Sequence, residues 1–179
     1  PMFLKDGRHT YKLIVNGEWQ LDTTNTDQSE DGMGNVNSVL SKGDFHVFSL
    51  EGFQEAEQVI LSGDFIHWNE GELKMTKSAD GWSLPLALAP GNYQYKFIVD
   101  GEWIPDPSNP IITGTEEYTN SIISIKPNHT FSLNGHKKED SVIVTGTFND
   151  WQEDGYTMAK TRDGWELPVY LPQGKTRYK

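Results

Sequence analysis

The stretch "YKFIVDGEW", from Tyr95 to Trp103, decides the fold of this chain, and a near copy, "YKLIVNGEW", runs from Tyr11 to Trp19. Each copy leads into Asp-Gly or Asn-Gly, the pairs preferred in two-residue hairpin turns because both turn positions require positive φ. The pattern predicts a strand that folds back on itself, so that the tryptophan returns beside the strand that carries the lysine. Because the phrase recurs 84 residues later, it also predicts a repeated domain.

The repeat continues on the C-terminal side. The segment Val142 to Trp151 resembles Val59 to Trp68, 83 residues earlier, and "DGWELPVYLPQGKTRYK" resembles "DGWSLPLALAPGNYQYK" at the same spacing. A period this long indicates small self-contained domains rather than a solenoid. We therefore predict a C-terminal half unit at 1–41, a complete unit at 42–126 and an N-terminal half unit at 127–179.

The local composition predicts strands throughout. Short runs rich in β-branched and aromatic residues are separated by Gly, Pro, Asn and Asp, which is typical of an antiparallel sandwich. The predicted fold class is all-β, an immunoglobulin-like β-sandwich with one complete unit and two half units. In the complete unit we expect strands near residues 44–50, 58–64, 72–77, 82–88, 92–99, 102–105 and 120–126.

Alternation along two of these strands predicts which side chains are buried. In "WSLPLAL" the apolar positions assign Trp82, and its copy Trp165, to the core. In "NYQYKFIV" the same argument predicts that Gln94, Lys96 and Ile98 point outward.

Two prolines fall on the outward positions of the predicted 82–88 strand and its copy. Pro85 and Pro168 cannot donate a hydrogen bond to a neighbouring strand, so they indicate an edge strand or a bulge.

The composition excludes several classes of function. Asp and Glu outnumber Lys and Arg 26 to 15, which argues against nucleic acid as a partner. No apolar run approaches the roughly 20 residues that span a bilayer, so no membrane insertion is expected. The chain has no cysteine, which removes disulfides and thiolate metal sites and leaves the cellular compartment open.

The sequence predicts no catalysis. The five histidines lack metal-ligand spacing, no Ser stands in a nucleophile motif, and the carboxylates lie mainly in polar loops rather than in an apolar setting that would raise a pKa. Glycoside hydrolysis needs a pair of carboxylates of which one has a raised pKa. We therefore predict neither an enzyme nor a cofactor in this chain, and leave open a catalytic domain outside it.

Four tryptophans lie outside the predicted core. Trp68 and Trp151 follow a strand at the tip of polar loops, and Trp19 and Trp103 directly follow the hairpin turns. An indole buries roughly 150–250 Å² when it is covered, so an uncovered one forgoes a large stabilisation. Flat indole rings suit the C–H faces of a pyranose, and this is the first interpretation. The alternative is that each tryptophan folds over the sandwich edge as a lid on the core.

With these residues in view, Val59 to Ile125 resembles the glycogen-binding domain of the AMP-activated protein kinase β subunit, a family 48 carbohydrate-binding module. The resemblance depends on the combination of "SGDF", "NYQYKF", "VDGEW", "DPSNP" and "NSII". It implies an α-1,4-glucan such as glycogen, starch or maltodextrin, laid across two tryptophans and hydrogen bonded by a lysine and an asparagine. The matching positions are Trp68, Trp103, Lys96 and Asn120.

Some positions depart from the family pattern. The family's threonine position holds Tyr118, and its projecting leucine position holds Glu116. The incomplete units carry parts of the same set, and only the central unit has both tryptophans. The candidate positions in the first half unit are Lys12, Trp19, Met33, Asn35 and Asn37, and the third unit offers Trp151.

Two further functions and one partner follow from the same residues. The chain could be a structural or protein-interaction array with a degenerate sugar site, which Glu116 and the acidic surface favour, or an accessory region of an amylolytic enzyme. Each half unit would expose an apolar face and open strand edges. We therefore expect 1–41 and 127–179 to complete one another, within or between chains, and the latter case gives a homo-oligomer by exchange of half units.

Overall fold

The computed structural model describes residues 3–179, and of Glu117 only the backbone. Contacts divide the described chain into two compact units: unit 1 holds residues 3–89 and 97–103, and unit 2 holds 90–96 and 104–179. These divisions fall inside the predicted complete repeat rather than at its ends. The repeat boundaries at 41/42 and 126/127 therefore remain a prediction.

Unit 1 is built from short antiparallel strands and one 3₁₀ turn, Asp64–Ile66. It also contains the Phe97–Val99 end of a strand that begins in unit 2. Its other strands are β1 (Gly7–Tyr11), β2 (Leu13–Val15), β3 (Glu18–Gln20), β4 (Gln28–Glu30), β5 (Val36–Lys42), β6 (Phe45–Glu51), β7 (Val59–Gly63), β8 (Leu73–Lys74), β9 (Thr76–Lys77) and β10 (Gly81–Ala87).

The strands of unit 1 form several small sheets. One has the order β1-β5-β4, a second has the order β6-β10-β9, β7 pairs with β8, and β2 and β3 form a two-stranded hairpin. The buried side chains come from the inward positions of these strands. They include Val39, Phe48, Leu50, Val59, Leu61, Trp82, Leu86 and Phe97.

Unit 2 repeats this plan with the second half of the chain. A second 3₁₀ turn, Glu116–Tyr118, precedes one of its strands. The strands are β11 (Gly91–Val99, shared with unit 1), β12 (Glu102–Ile104, also shared), β13 (Ile112–Thr113), β14 (Asn120–Ile125), β15 (His129–Asn134), β16 (Ile143–Val144), β17 (Tyr156–Thr157), β18 (Ala159–Lys160) and β19 (Gly164–Val169).

The sheets of unit 2 have the orders β13-β14-β11 and β15-β19-β18, with a separate β16-β17 pair. One apolar cluster joins segments on either side of residue 127. Ile122 of β14 is buried in it, and Ile111 packs against it. The other buried members are Phe131, Val144, Tyr156, Met158, Trp165, Leu167 and Val169. The apolar face of 127–179 is thus covered, in part, by residues of the preceding segment.

The architecture confirms the predicted class, an all-β chain of antiparallel sheets of the immunoglobulin-like sandwich type. Among the described residues the helical segments are the two 3₁₀ turns, and none is a helix of the length and apolarity that crosses a membrane. The seven expected strands are present, although the one expected near 72–77 is split into β8 and β9. Strand β13 was not anticipated.

The predicted burial of β10 and β19 is confirmed at the tryptophans. Trp82 and Trp165 are both buried, and each indole Nε1 donates to a backbone oxygen at 3.0 Å, that of Phe53 and that of His136. A lysine ammonium lies over each ring, 5.2 Å from the centroid of Trp82 and 5.1 Å from that of Trp165. The two residues therefore have the same environment in the two units.

The prolines occupy positions with a strand neighbour on one side. Pro85 pairs with Val47 of β6, while β9 on the other side of β10 reaches only Trp82 and Ser83. Pro168 pairs with Thr130, beyond the reach of β18. The edge-strand prediction is wrong for the strands as a whole, because β10 and β19 are the middle strands of their sheets. Each proline nevertheless lies past the end of one neighbouring strand, where a missing N–H donor costs the ladder no pairing on that side.

The predicted orientation along β11 needs a correction. Lys96 and Ile98, expected to point outward, are 8% and 4% exposed, so both faces of the strand are covered from Tyr95 to Val99. The prediction failed because alternation identifies a strand with one solvated face, and a strand covered on both faces breaks that rule. Gln94 is half-buried.

Candidate functional site

The two tryptophans assigned by resemblance are in contact in unit 1. The ring centroids of Trp68 and Trp103 are 6.1 Å apart with an angle of 51° between the ring planes. Both side chains are half-buried, so each keeps part of its surface open to solvent. The distance is typical of an aromatic pair, and the tilt presents two faces in different directions.

The loop that carries Trp68 has an unusual backbone. His67 and Trp68 have φ of 54° and 60°, the left-handed region that costs a non-glycine residue roughly 1–2 kcal/mol. Three backbone hydrogen bonds hold the turn, and the shortest is from the Trp68 N–H to the Gly63 carbonyl at 2.8 Å. Strain of this kind persists only where surrounding contacts enforce it, and it is frequent at functional positions.

The same loop occurs in unit 2. Asp150 and Trp151 have φ of 55° and 57°, and the Trp151 N–H donates to the Gly146 carbonyl at 2.9 Å. The Trp151 side chain is 42% exposed. Trp151, in the predicted half unit 127–179, therefore has the same loop conformation as Trp68. The sequence position equivalent to Trp103 falls beyond residue 179.

Trp103 is positioned by the predicted hairpin turn. Asp100 and Gly101 have φ of 48° and 94°, as the two-residue turn requires. The Asp100 carboxylate accepts hydrogen bonds from the backbone N–H groups of Glu57 at 3.0 Å and Gln58 at 2.8 Å. These bonds fasten the turn to the start of β7, which also leads to the Trp68 loop.

Lys96 lies seven residues before Trp103, in the part of β11 that belongs to unit 2. Burial lowers the pKa of its ammonium from the usual 10.5. The aliphatic stem of a lysine can lie along apolar surface while the charged tip stays near water, and an ammonium group can act as a hydrogen-bond donor only.

Asn120 opens β14 and is held by a residue that the sequence did not single out. Its side-chain Nδ2 donates to the Gln94 Oε1 at 2.8 Å, which fixes the amide orientation. The second N–H and the carbonyl oxygen of Asn120 have the chemistry to bond a hydroxyl. The "YQYK" alternation, which places Gln94 and Lys96 on one face, was the available signal for Gln94.

The loop before β14 carries the two positions that depart from the family pattern. Glu116 has φ of 51° and is exposed, and Tyr118 is exposed as well. Gly114 has φ of 86°, and a Cβ there would clash with the Tyr118 carbonyl oxygen. The loop conformation therefore depends on glycine at this position.

In the first half unit the candidate residues are spread over a hairpin and a loop. Lys12 is half-buried between β1 and β2, and Trp19 on β3 is 69% exposed. Asn37 is half-buried on β5, opposite Ser29 of β4.

The loop that carries Met33 and Asn35 is ordered by Asp31. The Asp31 carboxylate accepts from the Asn35 side chain at 2.9 Å and from the Met33 N–H at 2.8 Å. The hydrogen bond from the Asn35 side chain, which contributes most, and the bond from the Met33 N–H hold the pKa of Asp31 below its usual value. Met33 is exposed at the loop tip.

Asn69, directly after Trp68, is a second residue that the sequence analysis missed. Its side chain donates to the Asp31 backbone oxygen and its own backbone oxygen accepts from Ser62 at 3.0 Å. The Trp68 loop and the Met33 loop are therefore joined within unit 1. No pattern in the sequence signalled this link, because Asn69 and Asp31 lie in different predicted repeats.

The described residues contain no group of three or more His, Cys, Asp or Glu that could hold a metal ion.

Comparison with known proteins gives the following matches. Residues 48–132 match the protein family described as "Glycogen recognition site of AMP-activated protein kinase". The chain is 43% identical over 122 residues to 5'-AMP-activated protein kinase subunit beta-1 of Rattus norvegicus and 32% identical over 122 residues to that of Mus musculus. Each match covers 65% of this chain and 44% of the relative, so the matched region is less than half of those proteins. Protein PTST homolog 2, chloroplastic, of Arabidopsis thaliana is 45% identical over 71 residues, which is 39% of this chain and 13% of that protein.

Proposed function

We propose that this chain is a non-catalytic module that binds α-1,4-glucans, because residues 48–132 match the family described as "Glycogen recognition site of AMP-activated protein kinase". Glycogen, starch and maltodextrins share this linkage. The single observation that carries the proposal is the contact between Trp68 and Trp103, two half-exposed indoles 6.1 Å apart.

The tilt between the rings supports an α-linked chain. Successive glucose units of an α-1,4-glucan turn relative to one another, so the chain is curved rather than flat. Two indoles inclined at 51° offer their faces to such a curved chain better than to a flat ribbon. Stacking on an indole removes apolar C–H surface from water and leaves the sugar hydroxyls at the rim for polar side chains.

Lys96 and Asn120 are proposed to bond the hydroxyls. An ammonium group supplies donors only, and an amide supplies both donors and an acceptor, so the two side chains together can satisfy either role of a hydroxyl. Gln94 holds Asn120 at 2.8 Å and is proposed as its positioning residue. Glu116 and Tyr118 border this position on the preceding loop, where Tyr118 can add an aromatic surface.

We expect weak binding at each site. A few contacts worth about 1 kcal/mol each must offset the ordering of a flexible oligosaccharide, which gives a Kd on the order of 10 μM to 1 mM. The sets around Trp19 and Trp151 would contribute mainly through avidity on a polymer.

Isothermal titration with maltoheptaose tests the assignment. We expect Trp68→Ala and Trp103→Ala each to weaken binding by tenfold or more, since each removes a stacking surface worth at least about 1.4 kcal/mol. Phe45→Ala, at an exposed aromatic residue of β6, serves as the control and should leave the affinity unchanged.

Two outcomes would contradict the proposal in different ways. Unchanged affinity in Trp103→Ala would refute the assigned site while leaving glucan binding intact. If the unsubstituted chain neither binds maltoheptaose detectably nor is retained on amylose resin, the protein-interaction alternative is favoured.

A further inference from the structure

A cavity of about 440 Å³ lies inside unit 1, away from the two tryptophans of the proposed glucan site. One wall comes from the β1-β5-β4 sheet and the other from β8, β10 and the residues beside them. Buried Val39, Leu86 and Ala87 supply the apolar part of its lining. The volume falls in the range of about 300–1,000 Å³ that is usual for small-molecule sites.

A largely buried ion pair lines this cavity. The Arg8 Nη1 donates to the Glu72 Oε1 at 2.5 Å, and each of the two side chains is 12% exposed. The Ser29 hydroxyl donates to the same oxygen at 3.5 Å. Among the described residues, Arg8 and Glu72 make no other side-chain hydrogen bond. Because a guanidinium has five N–H groups and a carboxylate has two oxygens, both donors and an acceptor remain for a ligand.

Two further charges lie at the mouth of the cavity. Asp27 and Lys74 are exposed lining residues, and within the described part of the chain neither side chain makes a hydrogen bond or an ion pair. Together with Arg8 and Glu72 they give the cavity two positive and two negative side chains. A ligand with a net charge of either sign would meet a like charge as well as an opposite one, so the lining favours a neutral ligand.

At the matching positions of unit 2 the side chains bond one another. Asn92 stands at the position of Arg8, and Tyr170 stands at the position of Ala87. The Asn92 side chain donates to the Tyr170 carbonyl at 2.9 Å and accepts from the Tyr170 N–H at 2.8 Å. The polar groups of this copy are therefore engaged within the protein.

The mouth differs between the units in the same way. Thr157 stands at the position of Lys74, and its hydroxyl accepts from the Ile112 N–H at 2.7 Å. Ile111 stands at the position of Asp27, in the same backbone pairing, and packs against the apolar cluster of unit 2. The backbone arrangement is shared and the side chains differ. The cavity of unit 1 is therefore a consequence of its own lining residues.

We propose that this cavity binds a free mono- or disaccharide. A sugar is neutral, and each of its hydroxyls both donates and accepts. These hydroxyls match the unengaged groups of the ion pair together with the Gln28 amide and the Ser41 hydroxyl, which also line the cavity. The C–H groups of the ring can lie against the apolar part of the lining.

The site is separate from the proposed glucan site in composition and in preference. Its described lining includes neither Trp68 nor Trp103 and contains no aromatic side chain. Stacking of a long glucan therefore contributes nothing here, and recognition depends on hydrogen bonds to one or two sugar rings.

Amide NMR spectra of the 179-residue chain, recorded during a titration with maltose, test the site. We expect the amide signals of Ser29 and Ser41 to shift, with a Kd on the order of 1 mM because no aromatic surface contributes. The same shifts should persist in the Trp103→Ala chain, which lacks one surface of the proposed glucan site. Inorganic phosphate and putrescine, as an anionic and a cationic probe, should leave these signals unchanged.

A variant that copies unit 2 provides the matching substitution. Asp27→Ile combined with Lys74→Thr places at the mouth the residue types found at the equivalent positions of unit 2. Both original side chains are exposed, so the fold should be kept. We expect the affinity of the cavity for maltose to fall at least tenfold. Glu55→Ile combined with Lys5→Thr makes the same changes at exposed positions outside the cavity and should leave the affinity unchanged.

Signals of Ser29 and Ser41 that stay unchanged up to about 50 mM maltose would overturn the proposal. An equal Kd in the two double variants would also overturn it, and so would larger shifts with phosphate or putrescine than with maltose. Failure of the proposed glucan site gives a different result, because the signals around Trp68 would then stay unchanged while those of Ser29 and Ser41 shift.

Discussion

At the scale of single residues, one hydrogen-bond network occurs in both units. Tyr11 donates to Asp22 at 2.8 Å and accepts from Asn25 at 3.0 Å. In unit 2, Tyr95 donates to Asp106 at 2.6 Å and accepts from Asn109 at 3.1 Å. In each set the asparagine also donates to a backbone carbonyl, that of Val39 in β5 or of Ile122 in β14, which ties the loop to the sheet.

The two copies differ in burial. Tyr11 is half-buried and Tyr95 is buried. Burial, with the hydrogen bond to Asp106 added, raises the pKa of the Tyr95 phenol far above its usual value. In the first set the Thr24 hydroxyl, followed by the Tyr11 hydroxyl, holds the pKa of Asp22 below its usual value. In both sets the tyrosine hydroxyl donates to the aspartate side chain.

We predict that Tyr95→Phe destabilises the chain more than Tyr11→Phe. Tyr95→Phe removes a buried hydroxyl and takes a hydrogen-bond partner from half-buried Asp106 and Asn109, which costs about 1–3 kcal/mol. Water can reach the half-buried Tyr11, so Tyr11→Phe should cost about 1 kcal/mol or less. Urea unfolding followed by tryptophan fluorescence measures both. Equal losses in the two variants would show that burial does not distinguish the sets.

At the residue scale, the sequence predicted equivalent positions but not their contacts. Tyr11 and Tyr95 begin the two copies of the repeated phrase and are therefore equivalent positions, but equivalence does not reveal a hydrogen bond. Lys96 was assigned as the sugar-facing lysine on resemblance, and its burial could not be foreseen because alternation reports one solvated face only. The roles of Lys96 and Asn120 remain predictions.

At the scale of elements, the two hairpins share a turn and differ in what holds it. Asn16 and Gly17 have φ of 53° and 89°, close to those of Asp100 and Gly101. The Asp100 carboxylate accepts from two backbone N–H groups before β7. Among the described residues, Asn16 makes no comparable side-chain hydrogen bond, and its turn joins β2 to β3.

We expect Asp100→Ala to cost about 2–3 kcal/mol, because it removes charge-assisted hydrogen bonds and places alanine at positive φ. Asn16→Ala loses only the tolerance of asparagine for positive φ and should cost about 1 kcal/mol. Asp100→Asn keeps an acceptor and tolerance of positive φ, so it should restore most of the loss. Thermal unfolding of the three variants measures the order, and a cost of Asn16→Ala equal to that of Asp100→Ala would contradict it.

Most elements followed from composition and turn residues, and the exceptions have physical causes. Strand β13 escaped prediction because two residues, Ile112 and Thr113, give no alternation to count. The strand expected near 72–77 is interrupted at Met75, whose N–H donates to the Val59 carbonyl at 2.8 Å between β8 and β9. Such interruptions depend on tertiary pairing, which a local pattern does not contain.

At the scale of the whole molecule, the two compact units cut across the repeat read from the sequence. The repeat boundary was placed at 126/127, yet Ile111 and Ile122 pack in one cluster with Phe131 and Trp165. Asn92 also bonds the Tyr170 backbone in both directions, at 2.8 and 2.9 Å. A repeat defines where the sequence recurs, whereas a folding unit is defined by which surfaces are buried together, and the two need not coincide.

This difference leads to a prediction about cooperativity. Ile122→Val removes one methylene from the unit 2 cluster and should cost about 0.5–1.5 kcal/mol without unfolding the chain. If the cluster is one cooperative unit, amide hydrogen exchange measured by mass spectrometry should accelerate in 127–179 as well as in 104–126, because both open together. Ile60→Val, at a buried position of β7, is the matched control and should accelerate exchange in unit 1. A change confined to 104–126 would instead place an energetic boundary at 126/127, where the sequence repeat put it.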